Sequence, residues 1–234
     1  MSASVLVVVP TFNESANIAL LLAAIREVLP AAHVLVVDDA SGDGTAGTVR
    51  RVADSDAQVH LLERGAKLGL GSAYVAGFAW GLERGFQRFF EMDADFSHDP
   101  KYLPGFVEAL DAGWDVVVGS RNVRGGSIQG WGVGRHVLSK GGSLYARLIL
   151  GGPVRDMTTG FKAYTRHALD RIQIESVRSN GYAFQIETTY RALQQGLKVL
   201  ELPIQFVDRR AGSSKMSRAD VLEAVIGVLG MRLR

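Results

Sequence analysis

Hydrophobic and polar positions in the first half of the chain follow two alternating patterns. Short apolar runs such as Val5–Val9 predict strands that are buried on both faces of a parallel sheet. Between these runs, apolar residues recur at helical spacing, as from Ile18 to Leu29, where Pro30 ends the helix. The other strands are predicted at 34–37, 59–62, 88–92 and 116–119, and the other helices at 45–54, 72–84 and 100–110. Such repeated units predict an α/β fold with a mostly parallel central sheet flanked by helices.

The second half of the chain has a less regular pattern. Helices are predicted near 135–150, 181–195 and 219–229, and strands at 161–164 and 199–207. The sequence contains no internal repeat and no linker, and its 234 residues fit one domain. We therefore expect a single domain over residues 1–234.

Polar residues follow three of the predicted strands, namely the turn at 10–14, the pair Asp38–Asp39, and Asp93 with Asp95. In a doubly wound sheet, ligands bind beyond the carboxyl ends of the strands. Asp93 and Asp95 can both reach one Mg²⁺ or Mn²⁺, which prefer oxygen ligands, although a solvated turn has the same sequence. The Asp38–Asp39 pair can accept hydrogen bonds from a ribose or a base, or can cap the start of a helix.

Composition limits the classes of protein that remain. The chain has no cysteine, which excludes disulfides and cysteine metal sites and fits a cytoplasmic setting. The run Val5–Val9 is too short for a signal peptide and has no basic segment before it. No stretch reaches the ~20 apolar residues of a membrane-spanning helix, and the best candidate, Val221–Met231, contains Glu223. We therefore expect that this chain does not span a bilayer by itself.

The two halves of the chain differ in charge. Residues 1–117 contain 8 basic and 16 acidic side chains, whereas residues 118–234 contain 18 basic and 8 acidic ones. A basic second half is typical of an anionic partner, such as a phosphate, a nucleic acid or a membrane surface. An uneven scatter of charges over a soluble surface would give the same counts.

Two other kinds of enzyme have little support in the sequence. A dinucleotide-dependent oxidoreductase would have its glycine fingerprint in the first strand–helix turn, which here reads Pro-Thr-Phe-Asn-Glu. The segment Gly69–Tyr74 begins like that fingerprint but follows the third strand and lacks the last glycine. No Ser/His/Asp arrangement suits a hydrolase, and we interpret His98–Asp99–Pro100, near the acidic pair, as the start of a helix.

Nine short segments carry a resemblance to a known family. Those of the first half resemble the inverting family-2 glycosyltransferases of the GT-A fold, and those of the second half resemble the dolichyl (polyprenyl) phosphate mannose synthases. The first set comprises Val9-Pro10-Thr11-Phe12-Asn13-Glu14, Val37-Asp38-Asp39-Ala40-Ser41, Gly69-Leu70-Gly71-Ser72-Ala73 and Met92-Asp93-Ala94-Asp95. The second comprises Val118-Gly119-Ser120-Arg121, Arg135 with Ser139-Lys140-Gly141, Asp156-Met157-Thr158-Thr159-Gly160-Phe161, Phe206-Val207-Asp208-Arg209, and Ser214-Lys215.

The resemblance implies roles for particular residues. It implies a nucleotide-sugar and metal half over 1–117, and an acceptor and diphosphate-loop half over 118–234. Asp93 and Asp95 would hold Mg²⁺ or Mn²⁺ against the diphosphate, whereas Ser97, a glutamine in some relatives, is a weaker ligand. The remaining roles are the donor-binding residues Pro10, Phe12, Glu14, Val37, Asp39, Ala94, Arg209 and Lys215, and the acceptor-phosphate residues Arg121, Arg135 and Ser139. Asp156 would either orient the acceptor arginines or cap a turn.

The function implied by the resemblance is inverting transfer of mannose from GDP-mannose to a polyprenyl phosphate. The alternatives are transfer from UDP-glucose and a non-catalytic sugar-nucleotide-binding module. The lipid acceptor implies a membrane surface at the cytoplasmic face and no nucleic acid. The segment 135–150 could lie on that surface as a basic amphipathic helix or face the core. We expect a peripheral enzyme, one with a membrane-protein partner, or a piece of a longer chain.

Overall fold

We analysed a computed structural model of the chain, which describes residues 4–130, 132–208 and 218–233, with the main chain alone at 133, 135–138 and 218–224. Its strands are β1 Val5–Thr11, β2 His33–Asp38, β3 Val59–Glu63, β4 Arg88–Glu91, β5 Val116–Ser120, β6 Ser127–Gln129, β7 Lys162–Thr165, β8 Val199–Pro203 and β9 Gln205–Val207. Its helices are α1 Ile18–Val28, α2 Thr45–Ala53, α3 Leu70–Glu83, α4 Leu103–Asp111, α5 Val133–Leu150, α6 Arg166–Ile172, α7 Gly181–Gln194 and α8 Arg218–Leu233. Short 3₁₀ turns lie at Pro100–Tyr102 and Ile174–Ser176.

Seven strands form one sheet in the order β3-β2-β1-β4-β7-β5-β8. All neighbours are parallel except β7, which runs antiparallel to both β4 and β5. In this register, Thr11 lies beside Asp38 and Val8 beside Glu91, so the carboxyl ends of β1, β2 and β4 reach the same edge. The sheet confirms the predicted α/β fold with a mostly parallel sheet and helices around it.

The alternating sides of the strands explain the continuous apolar runs in the sequence. Val7 and Val9 pack towards α1 and α4, whereas Leu6 and Val8 pack towards α3 and α7. Every residue from Leu6 to Val9 has no exposed surface. Because both faces of the sheet are covered, each of these side chains contributes about 1.5–3 kcal/mol of burial.

Helix α3 lies unusually close to the sheet because it carries glycines on its inner face. A Cβ atom at Gly77 would lie 2.4 Å from Val8 Cγ1, and one at Gly81 would lie 2.4 Å from Leu6 Cδ2. This close approach brings Tyr74, on the same helix, to the end of β4. The glycines of α3 therefore help to position Tyr74 at the edge of the sheet where β1, β2 and β4 end.

The structure departs from the predicted elements in the second half of the chain. The predicted strand 199–207 is two strands, because β8 ends at Pro203 and β9 pairs with β6 in a separate two-stranded sheet. Proline has no N–H to continue a strand ladder, which explains the break. Helix α6 was not predicted, although Thr165 caps it by accepting a hydrogen bond from the Ala168 N–H at 3.1 Å.

Candidate active site

The turn that follows β4, Asp93–Ser97, is called the acid turn here. Asp93 keeps 35% of its side chain exposed, whereas Asp95 is buried. Asp95 Oδ1 accepts hydrogen bonds from the Ser97 N–H at 3.0 Å and from the Ser97 hydroxyl at 2.5 Å. Ser97 therefore orients Asp95 with its hydroxyl. Phe96 has a φ of +62°, in the left-handed region that is strained for this residue type.

His98 supports the acid turn from below. Its Nδ1 accepts a hydrogen bond from the Asp93 main-chain N–H at 3.2 Å, and the ring is buried. Burial lowers the pKa of His98 to about 4, against the opposing charge of Asp95, so the imidazole is neutral at neutral pH. The interpretation of 98–100 as a helix start is correct for Asp99, which accepts the Lys101 N–H, but His98 itself faces Asp93.

A buried ion pair joins β5 to the segment before β7. Arg121 donates Nε to Asp156 Oδ2 and Nη2 to Asp156 Oδ1, both at 2.7 Å, and Nη2 to Thr158 Oγ1 at 3.0 Å. Burial would lower the pKa of Arg121, but the charge and hydrogen bonds of Asp156 raise it, with smaller effects from Tyr182 and Asp93. Asp156 also accepts hydrogen bonds from the main-chain N–H groups of Arg121 and Thr158, so it both orients an arginine and caps its own turn, the two roles considered for it.

Helix α5 carries Ser139 to the same region. Ser143, one turn further along, lies with its hydroxyl 3.2 Å from Thr158 Oγ1, the atom that also accepts from Arg121. Ser139 is 6% exposed, and its hydroxyl makes no hydrogen bond with any described group. The predicted side chain of Arg135 and the predicted residues Arg209 and Lys215 lie outside the described part of the chain.

The ends of β1 and β2 form a network of hydrogen bonds around two acids. Asp38 accepts from the Thr11 hydroxyl at 2.7 Å and from the Ser41 N–H at 2.9 Å, so it fixes the two strand ends. Asp39 is ion-paired with Arg64 and accepts from the main-chain N–H groups of Leu68 and Gly69, each at 3.1 Å. Arg64 was not predicted as a site residue, because nothing in its local sequence distinguishes it from a surface arginine.

The predicted nucleotide residues Pro10, Phe12 and Glu14 lie at the end of β1 and in the turn after it, next to this network. Pro10 belongs to β1, Phe12 has the Lys67 ammonium 4.3 Å from its ring centre, and Glu14 accepts a hydrogen bond from the Asn17 amide at 3.0 Å. Asp43 holds the turn through Ser15 and Thr45. Desolvation would raise the pKa of Asp43, but these hydrogen bonds outweigh it and lower the pKa to about 2.

Two of the predicted donor-binding residues point their side chains into the core. Val37 has no exposed surface, and its Cγ2 would lie 3.3 Å from a Cβ atom at Gly77 of α3. Ala94 is 4% exposed and packs in the core on the α1 side of the sheet. The side chains of Val37 and Ala94 therefore do not face the candidate site. Only the main chains of these two residues could contact a ligand.

A buried polar cluster lies beneath the acid turn and includes two charged residues. Lys162 Nζ donates to the Gln185 carbonyl at 2.7 Å, to Gln185 Oε1 at 2.8 Å and to Thr188 Oγ1 at 3.0 Å. Glu91 accepts from the Tyr164 hydroxyl at 2.6 Å. Burial lowers the pKa of Lys162 to about 8, against the charge of Glu91, and burial raises the pKa of Glu91. This cluster was not predicted, because its members are far apart in the chain.

The donor set of the acid turn fits a hard divalent cation in its chemistry. Within the described ranges no group of three or more His, Cys, Asp or Glu side chains could hold a metal. Two carboxylates with one partly exposed, as at Asp93 and Asp95, are the set that Mg²⁺ accepts when phosphate oxygens complete its shell. The neutral imidazole of His98 adds no competing positive charge.

Comparison with known proteins identifies the family. The sequence profile described as Glycosyl transferase family 2 matches residues 6–173. This chain belongs to that family. It is 44% identical over 230 residues to the polyprenol monophosphomannose synthase of Mycolicibacterium smegmatis, covering 98% of this chain and 87% of that protein. It is 46% identical over 224 residues to the undecaprenyl-phosphate mannosyltransferase of Micrococcus luteus, covering 96% and 92%.

Among solved structures, the fold of this glycosyltransferase is similar to that of the mannosyltransferase PcManGT from Pyrobaculum calidifontis in complex with GDP-Man and Mn²⁺. The TM-score is 0.60 at 20% identity, over 100% of this chain and 74% of that one. The family assignment confirms the predicted resemblance, the α/β fold and the prediction that the chain is a glycosyltransferase. In the part of the chain that the structure describes, none of the helices is both long and apolar enough to span a bilayer.

Proposed function

We propose that this glycosyltransferase transfers mannose from GDP-mannose to a polyprenyl phosphate with inversion at the anomeric carbon. The names of its two relatives, a polyprenol monophosphomannose synthase and an undecaprenyl-phosphate mannosyltransferase, support the sugar and the acceptor. PcManGT, whose fold is similar, was solved with GDP-Man and Mn²⁺, which supports the donor and the metal. The observation that carries the proposal is that the segment 156–160 of the basic half, whose Asp156 is paired with Arg121, passes beside Asp93 of the acidic half: a Cβ atom at Gly160 would lie 3.7 Å from Asp93 Oδ1.

The proposed reaction requires negative charge to be offset at the leaving group. Asp93 and Asp95 would hold Mg²⁺ or Mn²⁺ at the acid turn, while Ser97 keeps Asp95 in place. When bound, the cation supplies positive charge that offsets the charge developing on the departing diphosphate. Arg209 and Lys215 remain proposed diphosphate contacts on the basis of their family motif. At the proposed base and ribose end, Asp39 is oriented by Arg64 and by the main-chain N–H groups of Leu68 and Gly69. Its own main-chain N–H donates to the Thr11 carbonyl at 2.9 Å, just before Phe12 and Glu14 in the chain.

The acceptor needs positioning more than activation. A phosphate monoester has a second pKa of about 6, so it is largely ionised at neutral pH and can attack without a strong general base. One phosphate oxygen forms the new bond to the anomeric carbon as the bond to the GDP oxygen breaks, and GDP leaves. Arg121, held by Asp156, together with Arg135 and the buried hydroxyl of Ser139, would place that phosphate.

The tail of the acceptor lies in lipid, so we also propose that α5 and α8 meet an anionic membrane surface. The two helices are joined by a hydrogen bond from the Tyr145 hydroxyl to the Val225 carbonyl at 3.0 Å. Leu148 on α5 is 76% exposed and Ile226 on α8 is 61% exposed. Basic residues accompany them on both helices, namely Lys140, Arg147 and Arg232. Peripheral attachment at the cytoplasmic face follows as part of the proposal.

Vesicle flotation tests the membrane proposal. The parent protein should float with vesicles that contain anionic lipid, and Leu148→Glu with Ile226→Glu should reduce the floating fraction at least about tenfold, because charge opposes insertion. Leu20→Glu is the matched control, since Leu20 is 60% exposed on α1, outside the proposed surface. Failure of the parent to float would overturn direct attachment and favour a membrane-protein partner.

Thermal shift and turnover test the proposed donor and metal. GDP-mannose with Mn²⁺ should raise the melting temperature and UDP-glucose should not, because only a ligand that binds the folded state stabilises it. Selective stabilisation by UDP-glucose would replace mannose transfer with glucose transfer. Asp95→Ala should remain folded without ligand and lose about 10²-fold or more of its turnover, as expected for a lost charge-stabilising group. Near-normal turnover in that variant would refute the metal role.

A further inference from the structure

The acid turn contains local strain that its neighbours must hold. Phe96 adopts a φ of +62°, which an aromatic residue reaches only at a cost. Ser97 secures the far side of the turn through Asp95. At the near side, the main-chain N–H of Asp93 donates to His98 Nδ1 at 3.2 Å. Since Nδ1 accepts this hydrogen bond, the ring proton of the neutral imidazole lies on Nε2.

The imidazole of His98 packs against two aromatic rings from the second half of the chain. It stacks on Phe161 with ring centres 4.9 Å apart and an interplanar angle of 11°. It also packs against Phe206 in a T-shaped arrangement, with ring centres 5.5 Å apart and an interplanar angle of 76°. The ring of His98 therefore cannot rotate without disturbing Phe161 of the 156–161 segment and Phe206 of β9.

The same packing reaches the buried ion pair described above. The Arg121 guanidinium carbon lies 5.4 Å from the centre of the Phe206 ring. The main chain at Gly160 also lies close to Asp93 and His98, since a Cβ atom there would lie 3.7 Å from both Asp93 Oδ1 and the His98 ring. Through His98, the direction of the Asp93 main chain is thus fixed relative to the residues proposed to hold the acceptor.

We propose that His98 is a positioning residue for the acid turn, acting through its Nδ1 on the Asp93 amide and through its ring on Phe161 and Phe206. This inference rests on the proposed function, because the value of a fixed Asp93 is that it holds a cation. Groups that orient metal ligands without touching the metal change affinity about 10–100-fold when replaced. We expect an effect of that size on replacement of His98, which contacts Asp93 mainly through the main-chain N–H. The carboxylate of Asp93 is more distant, with Oδ2 3.8 Å from His98 Nδ1.

Two substitutions separate the hydrogen bond from the packing. His98→Phe keeps a ring between Phe161 and Phe206 but removes the acceptor, whereas His98→Asn keeps an acceptor near the Nδ1 position and removes the ring. His60→Phe is the matched control, because His60 also stacks on a ring and makes a hydrogen bond through its imidazole. Its ring centre lies 5.2 Å from that of His33 at an interplanar angle of 7°, and its Nε2 lies 2.9 Å from His33 Nδ1. His98→Leu replaces the Phe variant if that protein does not fold.

The readouts are Mn²⁺ affinity in the presence of GDP, by calorimetry, and hydrogen exchange of the Asp93 amide, by NMR of the protein without ligands. His98→Phe should weaken Mn²⁺ binding about 10–100-fold and speed hydrogen exchange of the Asp93 amide. His98→Asn should bring both the affinity and the exchange rate much of the way back to the parent values, and His60→Phe should change neither. Parent-like Mn²⁺ affinity and parent-like exchange in His98→Phe would overturn the proposal.

A parallel arm distinguishes this inference from the proposed metal site. If Asp95→Ala binds Mn²⁺ as the parent does, the metal proposal fails. The exchange of the Asp93 amide then decides on His98 independently, because that measurement is made without metal. Faster exchange in His98→Phe alone would support the positioning role, and unchanged exchange would refute it.

Discussion

Replacement of Asp156 by asparagine tests whether the buried pair with Arg121 organises the acceptor side of the site. Asparagine keeps the size of the side chain but removes the charge and one of the two acceptor oxygens. Arg121 donates to both oxygens, and its main-chain N–H also donates to Oδ2 at 2.9 Å. Only 3% and 0% of the two side chains are exposed, so solvent compensates little of the lost charge. The change therefore leaves a buried guanidinium without its counter-charge.

The expected cost follows from that burial. Removal of one partner of a buried ion pair destabilises a protein by about 3–5 kcal/mol. For a chain of this size, each kcal/mol lowers the melting temperature by about 2–4 °C, so Asp156→Asn should melt about 6–20 °C below the parent. Urea unfolding followed by circular dichroism gives the free energy directly. At a temperature where the variant is folded, the Michaelis constant for polyprenyl phosphate should also rise, because Arg121 loses its fixed orientation.

The matched control is Asp99→Asn. Asp99 is also paired with a cation, Lys101 at 2.8 Å, but the two side chains are 41% and 56% exposed. An exposed pair of this kind contributes about 1 kcal/mol or less. A loss below about 1 kcal/mol in Asp156→Asn, with an unchanged acceptor constant, would refute both the energetic reasoning and the orienting role of Asp156.

Three further predictions concern stability. Lys162→Met should lower the unfolding free energy by about 3–5 kcal/mol, measured in urea, because it removes the donor to three buried oxygens and the positive charge that acts on Glu91. A second change, Glu91→Gln, should recover part of the loss, and no recovery would argue against their coupling. Gly71→Ala should cost about 1–3 kcal/mol because its Cβ would lie 2.3 Å from the Ser179 carbonyl, whereas Gly105→Ala, with no atom within 4 Å in α4, should gain about 0.5–1 kcal/mol; equal melting temperatures would contradict this. Asp43, whose pKa falls from 3.8 to about 2 on folding, contributes stability above pH 3.8 that is lost as the pH falls through about 2. Since Asp43 is exposed, that contribution is about 1 kcal/mol or less, and Asp43→Asn should flatten the acid limb of a urea-stability profile; an unchanged limb would refute it.

The sequence predicted most of the sheet because local patterns carried the information. The apolar run of β1 and the helical spacing of α1 required no knowledge of distant partners. The acid turn was predictable in the same way, since two acids directly follow a buried strand. The break at Pro203 and the antiparallel direction of β7 depend on pairing between distant segments, which no local pattern reveals.

The same distinction between local patterns and pairing of distant segments applies to the candidate site. The pairing of Arg121 with Asp156 spans 35 positions, and that of Asp39 with Arg64 spans 25, so the sequence could name some members but not their partners. His98 was placed at a helix start because its neighbours have capping chemistry, and its contact with Asp93 depended on how the turn folds back. A positive φ at Phe96 has no counterpart in the sequence pattern.

The reversed direction of β7 decides which parts of the chain can meet. A strand that runs parallel to β1 carries the residues that follow it to the edge of the sheet where the acid turn lies, as β4 does with Asp93 and β5 with Arg121. Strand β7 instead delivers the residues that come before it, so Asp156 and Gly160 arrive at that edge from the opposite direction. Because β7 lies between β4 and β5 in the sheet, the segment that precedes β7 lies between the segments that follow β4 and β5. An insertion just before Lys162 would displace the acid turn's neighbour and the arginine's counter-ion in a single step.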